Sequence, residues 1–446
     1  MTDRDRDAQK LPRRDFFKMA GAGLTAAGVM MTPREQAIAQ TMRENAIMAR
    51  IAGCTWPVRS LFKTRQNPNR AGGAGAAGRR GGGAAGAGGA APADGAAARA
   101  GGAGAAGGRG GRGGGGAQPM PGPEGATQTA SAVVIPPVPA NRDNTSTADM
   151  KAKYGELTLL DYPAWMKETH PGVTRMDIFS GFFGDMVDDA MYFPQGSAMG
   201  SGFDPMSTSG RRWLDQMASK LVTTGTKVQH ISNNAPFGLA DHGSPEADAR
   251  RKAGVEMGKR WIEGCSVLKP VSMRMNSTSA LGPQIRPNAI PRSGDGYPRN
   301  LEIVPLLNAA IESYKEMADY GGKFGVKVTF ENHWGLAADP MNLRIMIDTV
   351  NHPYCDATPD FCNWEHEYML FNGIKALAPY TSSNVHAKYW DRWGDKNDVQ
   401  RSVRIMLAAG FNGTFALEYE SGPLNGVDGA KYLYKEVLAA LNAWQF

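Results

Sequence analysis

Lys327-Val328-Thr329-Phe330-Glu331 is the first of four segments that each end in a side chain able to hold a metal. Ala357-Thr358-Pro359-Asp360, Asn384-Val385-His386 and Ala416-Leu417-Glu418 follow, their last residues 26 to 32 positions apart, with an amphipathic stretch between each pair. Strand–helix units of a (β/α)8 barrel require that spacing, and residues at successive barrel strand ends converge on one point. Alternation within the segments points to strands. Lys327, Thr329 and Glu331 share one face, with Val328 and Phe330 opposite. Asn384, His386 and Lys388 share a face, as do Thr414, Ala416, Glu418 and Glu420. Parallel strands buried on both sides read as continuous apolar runs. Here one face turns polar toward each strand's end, as it must where strands line the mouth of a barrel. Ordinary edge strands with a solvated face would alternate too, but three in succession favour the barrel.

Outward from this core the same pattern predicts the remaining units. Met48 to Trp56 reads as strand 1, and Leu157 to His170 as an amphipathic helix leading into strand 2 at Val173 to Phe179. Strand 3 is expected near Lys227 to Ile231, a helix over Pro245 to Gly264, and strand 4 near Val271 to Met275. A helix over Leu301 to Tyr320 precedes strand 5. Helices are expected near Met341 to Val350, Glu367 to Leu377, Val399 to Ala409 and Gly429 to Ala443. The expected fold is an α/β (β/α)8 TIM barrel over residues 44–446, long enough for the ~250 residues a barrel takes.

Residues 67–146 break the pattern. Gly and Ala dominate, Arg is scattered through, and Pro136-Pro137-Val138-Pro139 lies near the end. With almost no large apolar side chains, the segment cannot offset the entropy of ordering and reads as disordered. It falls between strand 1 and the first helix, so it is an insertion in the first strand-to-helix loop, on the catalytic face. Gly108-Arg109-Gly110-Gly111-Arg112-Gly113 is similar to an RGG box, but stacking aromatics are absent. No nucleic-acid partner is expected. The formal charge of +6 does not alter that, because basic residues concentrate outside the expected barrel.

At the N-terminus, Arg13-Arg14-Asp15-Phe16-Phe17-Lys18 precedes the apolar run Met19 to Met31, and Ala37-Ile38-Ala39 offers small residues for cleavage. Residues 1–39 resemble a twin-arginine export signal. That implies the Tat translocase as a transient partner and the periplasm or extracellular space as the destination; an uncleaved anchor stays open. Cys54, Cys265, Cys355 and Cys362 form no CxxC pair and no zinc spacing. Three of them lie on or beside expected strands and read as buried thiols.

Three carboxylates and one imidazole, Glu331, Asp360, Glu418 and His386, would bind a divalent cation and leave positions open for two vicinal sugar oxygens. Oxygen ligands suit Mg²⁺ or Mn²⁺, and the imidazole tilts the choice toward Mn²⁺, with Mg²⁺, Co²⁺ and Zn²⁺ as alternatives. Such a centre polarises a carbonyl and stabilises the enediolate formed by proton loss next to it. Glu331 and Glu418 come from different strands, so one could remove the proton and the other return it. His366-Glu367 is not followed by a His at the spacing of a zinc helix.

Glu331-Asn332-His333-Trp334-Gly335, Asp360-Phe361-Cys362-Asn363, Val385-His386-Ala387-Lys388 and Leu417-Glu418-Tyr419-Glu420 together resemble the xylose isomerase-like TIM barrels, the sugar phosphate isomerase/epimerase superfamily. The resemblance runs from about Lys151 to the C-terminus and implies that Glu331, Asp360, His386 and Glu418 are the metal ligands. It also implies substrate contacts. Arg392 stands where ketose epimerases carry a substrate-orienting Arg, and Lys388 competes for that role. Asn363 stands where those epimerases have a His. His230, at the end of strand 3, is a further candidate, with a core His as the alternative. Trp334 is read as a sugar-stacking residue, as are Trp56, Trp390 and Trp393, with a core role the alternative.

The expected function is an exported, metal-dependent isomerase or epimerase of an unphosphorylated sugar, keto-sugar or cyclitol. A lyase using the same site is the alternative, by β-elimination of a keto-glycoside or dehydration of a cyclitol. A non-catalytic sugar-binding barrel ranks lower. So does a phosphodiesterase like endonuclease IV, whose trinuclear site needs more strand-end His than seven in the whole chain allow. Homo-oligomerisation is left open.

Overall fold

The computed structural model describes residues 33–63, 65, 141–194, 197, 202–275, 303–333, 335–364 and 366–444. The chain divides into two units, Met1–Ala77 with Val138–Phe446, and Gly78–Pro137; the second lies outside the described residues.

Eight parallel strands form one sheet: β1 (Ile51–Cys54), β2 (Arg175–Phe179), β3 (Lys227–Asn233), β4 (Ser272–Met275), β5 (Lys327–Phe330), β6 (Cys355–Ala357), β7 (Asn384–Trp390) and β8 (Thr414–Ser421). Their order is β6-β5-β4-β3-β2-β1-β8-β7. The ends of this sheet meet through backbone beyond β6. The His386 N–H donates to Pro359 O (3.0 Å) and the Phe361 N–H donates to His386 O (3.1 Å). This parallel bridge between Asp360 and His386 closes the TIM barrel at the point where two expected metal ligands sit.

Ten helices among the described residues surround the strands or precede them: α1 (Pro33–Met48), α2 (Thr147–Tyr154), α3 (Tyr162–Thr169), α4 (Thr208–Thr224), α5 (Pro245–Cys265), α6 (Val304–Phe324), α7 (Pro340–Val350), α8 (Met369–Leu377), α9 (Val399–Ala408) and α10 (Gly426–Ala443). Capping follows from sequence. Ser207, Ser244 and Asp398 accept backbone N–H groups in the first turns of α4, α5 and α9. Gly225 and Gly325 end α4 and α6 in the left-handed region. Two glycines permit close packing: a Cβ on Gly53 would lie 2.4 Å from Met166 of α3, and one on Gly429 of α10 would lie 2.3 Å from the Tyr419 ring. Helix α4 and helix α2 have no counterpart in the sequence expectation. Helix α1 runs through the expected cleavage point at Ala39. Among the described residues no helix is long and apolar enough to cross a membrane, and Met19 to Met31 lie outside them.

The low-complexity expectation for 67–146 lies outside the described residues up to 140. Over 141–146 it is corrected. Arg142 donates to both carboxylate oxygens of Asp391 (2.5 and 2.6 Å), the Asp143 N–H donates to Gly422 O (2.7 Å), and Ser146 caps α2. Asp391 is 5 % exposed, so the returning chain is held by a buried carboxylate at the end of β7. The segment before α2 is therefore seated against the ends of β7 and β8.

His170, which ends α3, packs its ring 5.5 Å from Tyr434 of α10 and is 1 % exposed. Burial, with Lys431 adding to it, lowers its pKa to about 4 from an ordinary 6.5. Between those values the unfolded chain binds a proton that the folded chain refuses. The protein should thus lose roughly 3 kcal/mol as the pH falls through that window, at about 1.4 kcal/mol per unit. Urea unfolding of wild type and His170→Phe across the window should show this component vanish in the variant. Parallel pH profiles would remove it.

Candidate metal centre

Each candidate ligand is placed by local backbone chemistry. Glu331 follows β5 directly, and its side chain continues the polar face begun by Lys327 and Thr329. Thr329 Oγ1 accepts from Thr358 Oγ1 (2.8 Å), which ties β5 to the segment after β6. Asn332 then clamps that segment: its Oδ1 accepts from the Asp360 N–H (2.7 Å), and its Nδ2 donates to Asp360 O (3.0 Å) and Asn363 O (3.2 Å). Asp360 turns the chain with its own carboxylate, Oδ1 accepting from the N–H groups of Cys362 (2.7 Å) and Asn363 (2.9 Å). This leaves Oδ2 fully buried and without a hydrogen-bond partner. His386 and Lys388 stand two residues apart on the inner face of β7, and Glu418 and Glu420 do so on β8.

The four expected ligands meet. His386 Nδ1 lies 3.0 Å from Glu418 Oε2, 3.3 Å from Glu331 Oε1 and 3.8 Å from Asp360 Oδ2. Exposure of the four ranges only from 0 to 8 %. Lys388 Nζ reaches Glu418 Oε1 (3.0 Å), Asp360 Oδ2 (3.3 Å), Glu420 Oε2 (3.3 Å) and Asn363 Oδ1 (3.2 Å). Asn363 Nδ2 in turn donates to Glu331 Oε1 (3.1 Å). Lys388 and Asn363 thus touch the ligand cluster itself.

The other candidates are placed differently. Arg392 follows β7 and lays its guanidinium over Trp390 (5.3 Å) and Trp393 (4.6 Å). His230 is completely buried inside the barrel, its ring 5.9 Å from that of His386 and its Nδ1 2.7 Å from Ser272 Oγ. Trp334 lies outside the described residues. Trp56 is half-buried and donates from Nε1 to Glu420 Oε2 (2.6 Å); Trp393 donates to Cys362 O (2.8 Å). All four cysteines are free and buried.

Two site residues were not singled out from sequence. Arg274 on β4 pairs with Glu331 Oε2 and also donates to Asn234 Oδ1. Asp177 on β2 accepts at Oδ2 from His386 Nε2 (3.0 Å). The signal existed for both: each occupies the polar face of an alternating strand, opposite Met273 and Met275 or Met176 and Ile178.

Electrostatics describe a site short of positive charge. Four buried carboxylates, Asp177, Glu331, Asp360 and Glu418, face two buried permanent cations, Arg274 and Lys388, and the imidazole of His386. Burial alone would neutralise Glu331; Arg274 and His386 hold it far below its ordinary range. Burial likewise opposes charge on Glu418, which Lys388 and His386 outweigh. Asp360 is raised by burial, against the pull of Lys388. His386 resists burial and is raised strongly by Glu418, Glu331 and Asp177. The position in front of its Nδ1 therefore favours a cation. Three carboxylates and one imidazole nitrogen, with Asp360 Oδ2 buried and making no hydrogen bond, form a donor set that fits a divalent ion.

The sequence pattern of the xylose isomerase-like TIM barrels matches residues 198–443. Similar solved structures include 3-keto-D-glucoside 4-epimerase from E. coli, at 12% identity over 64% of this chain and 95% of that one, with a TM-score of 0.45. Another is a xylose isomerase-like TIM barrel protein from Mycobacterium smegmatis in complex with magnesium, at 16% identity over 64% and 92%, TM-score 0.42. A third is D-psicose 3-epimerase with D-tagatose from Clostridium cellulolyticum H10, at 14% identity over 63% and 92%, TM-score 0.41. What these proteins bind or convert is theirs alone at such identities. No curated protein matches the chain. The match of the family pattern over more than half of the sequence, on a closed eight-stranded barrel, shows that the chain belongs to the xylose isomerase-like TIM barrel family.

Proposed function

We propose that the protein is a divalent-metal-dependent isomerase or epimerase acting on an unphosphorylated sugar, keto-sugar or cyclitol. The observation that supports it is the meeting of Glu331, Asp360 and Glu418 around Nδ1 of His386, with Asp360 Oδ2 buried and making no hydrogen bond. Those four side chains would hold the cation, Mn²⁺ being the first choice for a carboxylate-rich set with one imidazole. A bound cation would polarise a carbonyl oxygen and acidify the C–H beside it. Glu418 and Glu331, from β8 and β5, are the proton-moving groups. Lys388, whose Nζ meets three carboxylates and Asn363, would donate to a sugar oxygen by exchanging one of these partners for it. Trp56, Trp390 and Trp393, half-buried around the same strand ends, would take the apolar face of a sugar ring. Export by the twin-arginine route belongs to the proposal and is supported by Arg13-Arg14 and the apolar run after them. It is also the reason for choosing an unphosphorylated substrate.

The test is a screen of keto-sugars, cyclitols and keto-glycosides in deuterated water, with metal-depleted protein and after adding Mn²⁺, Mg²⁺, Co²⁺ or Zn²⁺. Deuterium should enter at the carbon next to the carbonyl only when a divalent ion is present. Loss of a leaving group alongside exchange would mark a lyase. Exchange that ignores metal, or none with any pair, would sink the proposal.

A further inference from the structure

We propose that Asp177 is a positioning residue of the metal centre: it fixes the ring orientation and tautomer of His386, so that Nδ1 presents a lone pair to the space shared by Glu331, Asp360 and Glu418. The inference rests on the metal-dependent reading above.

Asp177 lies on β2, 209 residues from His386 in sequence, and is completely buried. Its carboxylate is enclosed by donors. Ser232 Oγ donates to Oδ1 (2.7 Å), Asn384 Nδ2 donates to Oδ2 (2.9 Å), and His386 Nε2 lies 3.0 Å from Oδ2. Asn384 cannot turn its carbonyl toward Asp177, because its Oδ1 accepts from Thr414 Oγ1 (2.6 Å). Ser232 has one proton, and its oxygen is also 3.3 Å from His386 Nε2. An ionised carboxylate only accepts, so the contact with His386 is made by an Nε2–H. A neutral imidazole carries one N–H; with that proton on Nε2, Nδ1 is the free lone pair. Nδ1 faces three carboxylate oxygens at 3.0 to 3.8 Å, none of which can donate to it when ionised. Glu331, Asp360 and His386 bring ligand atoms within 4.8 Å of one another, with Glu418 Oε2 3.0 Å from Nδ1, so a cation held there would take up the Nδ1 lone pair. The arrangement is a carboxylate–histidine pair of the kind that orients metal-bound imidazoles. An amide in place of Asp177 could donate to Nε2, which would move the histidine proton to Nδ1 and into the cation's place.

His230 offers a competing arrangement. Its buried Nε2 has no partner among the described residues, and Asp177, His230 and His386 bring ligand atoms within 4.8 Å of one another. The three donors already on Asp177 argue for the positioning role instead, and stoichiometry separates the two.

Metal-depleted full-length protein should be titrated with Mn²⁺ by calorimetry, as wild type, Asp177→Asn and Ser232→Ala. Asp177→Asn is expected to weaken binding by about 10- to 100-fold at unchanged stoichiometry of one ion, while the metal-free melting temperature moves little. Ser232→Ala, which leaves the carboxylate in place, should lose less and serves if Asp177→Asn does not fold. In the zinc-loaded protein with ¹⁵N-labelled histidine, one imidazole should show a protonated Nε2 and a metal-shifted Nδ1, and Asp177→Asn should lose that signature. Equal Mn²⁺ affinity in wild type and Asp177→Asn overturns the inference alone. So does a second ion in wild type that Asp177→Asn removes. Wild type that binds no divalent ion overturns the metal-dependent reading and the inference together.

Discussion

Glu418→Gln should lower proton exchange at the substrate's acidic carbon by about 10²- to 10⁴-fold, the usual contribution of a positioned acid–base group. Glu331 and Glu418 both border His386 Nδ1, but their surroundings differ. The Glu331 side chain is 1 % exposed, with Oε2 held by Arg274 and Oε1 accepting from Asn363. The Glu418 side chain is 10 % exposed, and its partner at Oε1 is the ammonium of Lys388, which it shares with Asp360 and Glu420. A carboxylate fixed by a guanidinium is a poor proton acceptor, because protonation would strand the cation. On the proposed reading, Glu418 would therefore be the base toward a substrate in the mouth, and Glu331 would return the proton or only hold the cation. Exchange should be read at saturating Mn²⁺, so that weaker metal binding does not pass for lost proton transfer. Glu331→Gln should also cost exchange, but with a loss of metal-free stability, since Arg274 would keep its charge without the partner. Wild-type exchange in Glu418→Gln would remove Glu418 from the proton path.

The barrel was legible in sequence because side-chain alternation survives in strands that line a polar mouth. Glu331, His386 and Glu418 sit where the alternation puts them, on or next to a strand and on its inner face. Asp360 was legible from its spacing and its motif, not from alternation. Strand β6 ends at Ala357, and Asp360 reaches the site through the bridge to β7 and the Asn332 clamp, neither of which a periodicity can show. Helix α4 was missed although Ser207 and Gly225 bracket it, because the loop from Phe179 to Met206 hides where the unit resumes. Asp177 and Arg274 carry the alternation, but their partners are 209 and 57 residues away, and only barrel closure brings them together. Residues 141–146 read as low complexity by composition alone, whereas the Arg142–Asp391 ion pair, the Asp143 N–H bond to Gly422 O and the Ser146 cap seat them.

Lys388→Met should destabilise the metal-free protein by about 3–5 kcal/mol, the range for removing one partner of a buried ion pair. Lys388 is 4 % exposed and serves three carboxylates at once, Asp360, Glu418 and Glu420. Burial opposes its charge, yet those carboxylates hold its pKa well above the ordinary value, so it stays an ammonium throughout the neutral range. Met keeps the unbranched chain as far as Cε and removes the charge and its three donors. The stranded carboxylates then repel one another in a site that already lacks positive charge. Two conditions should relieve the variant. Acid should help, because protonating Asp360, already raised by burial, removes one of the uncompensated charges. Divalent metal should help more, since an ion present at 100 times its Kd stabilises the folded state by about 2.7 kcal/mol. Urea unfolding at neutral and mildly acidic pH, with and without Mn²⁺, measures all three effects. A metal-free Lys388→Met protein as stable as wild type would show that the carboxylate cluster does not depend on this ammonium. Wild type and variant stabilised equally little by Mn²⁺ would show that the site holds no cation, because the loss of Lys388 should sharpen the demand for one.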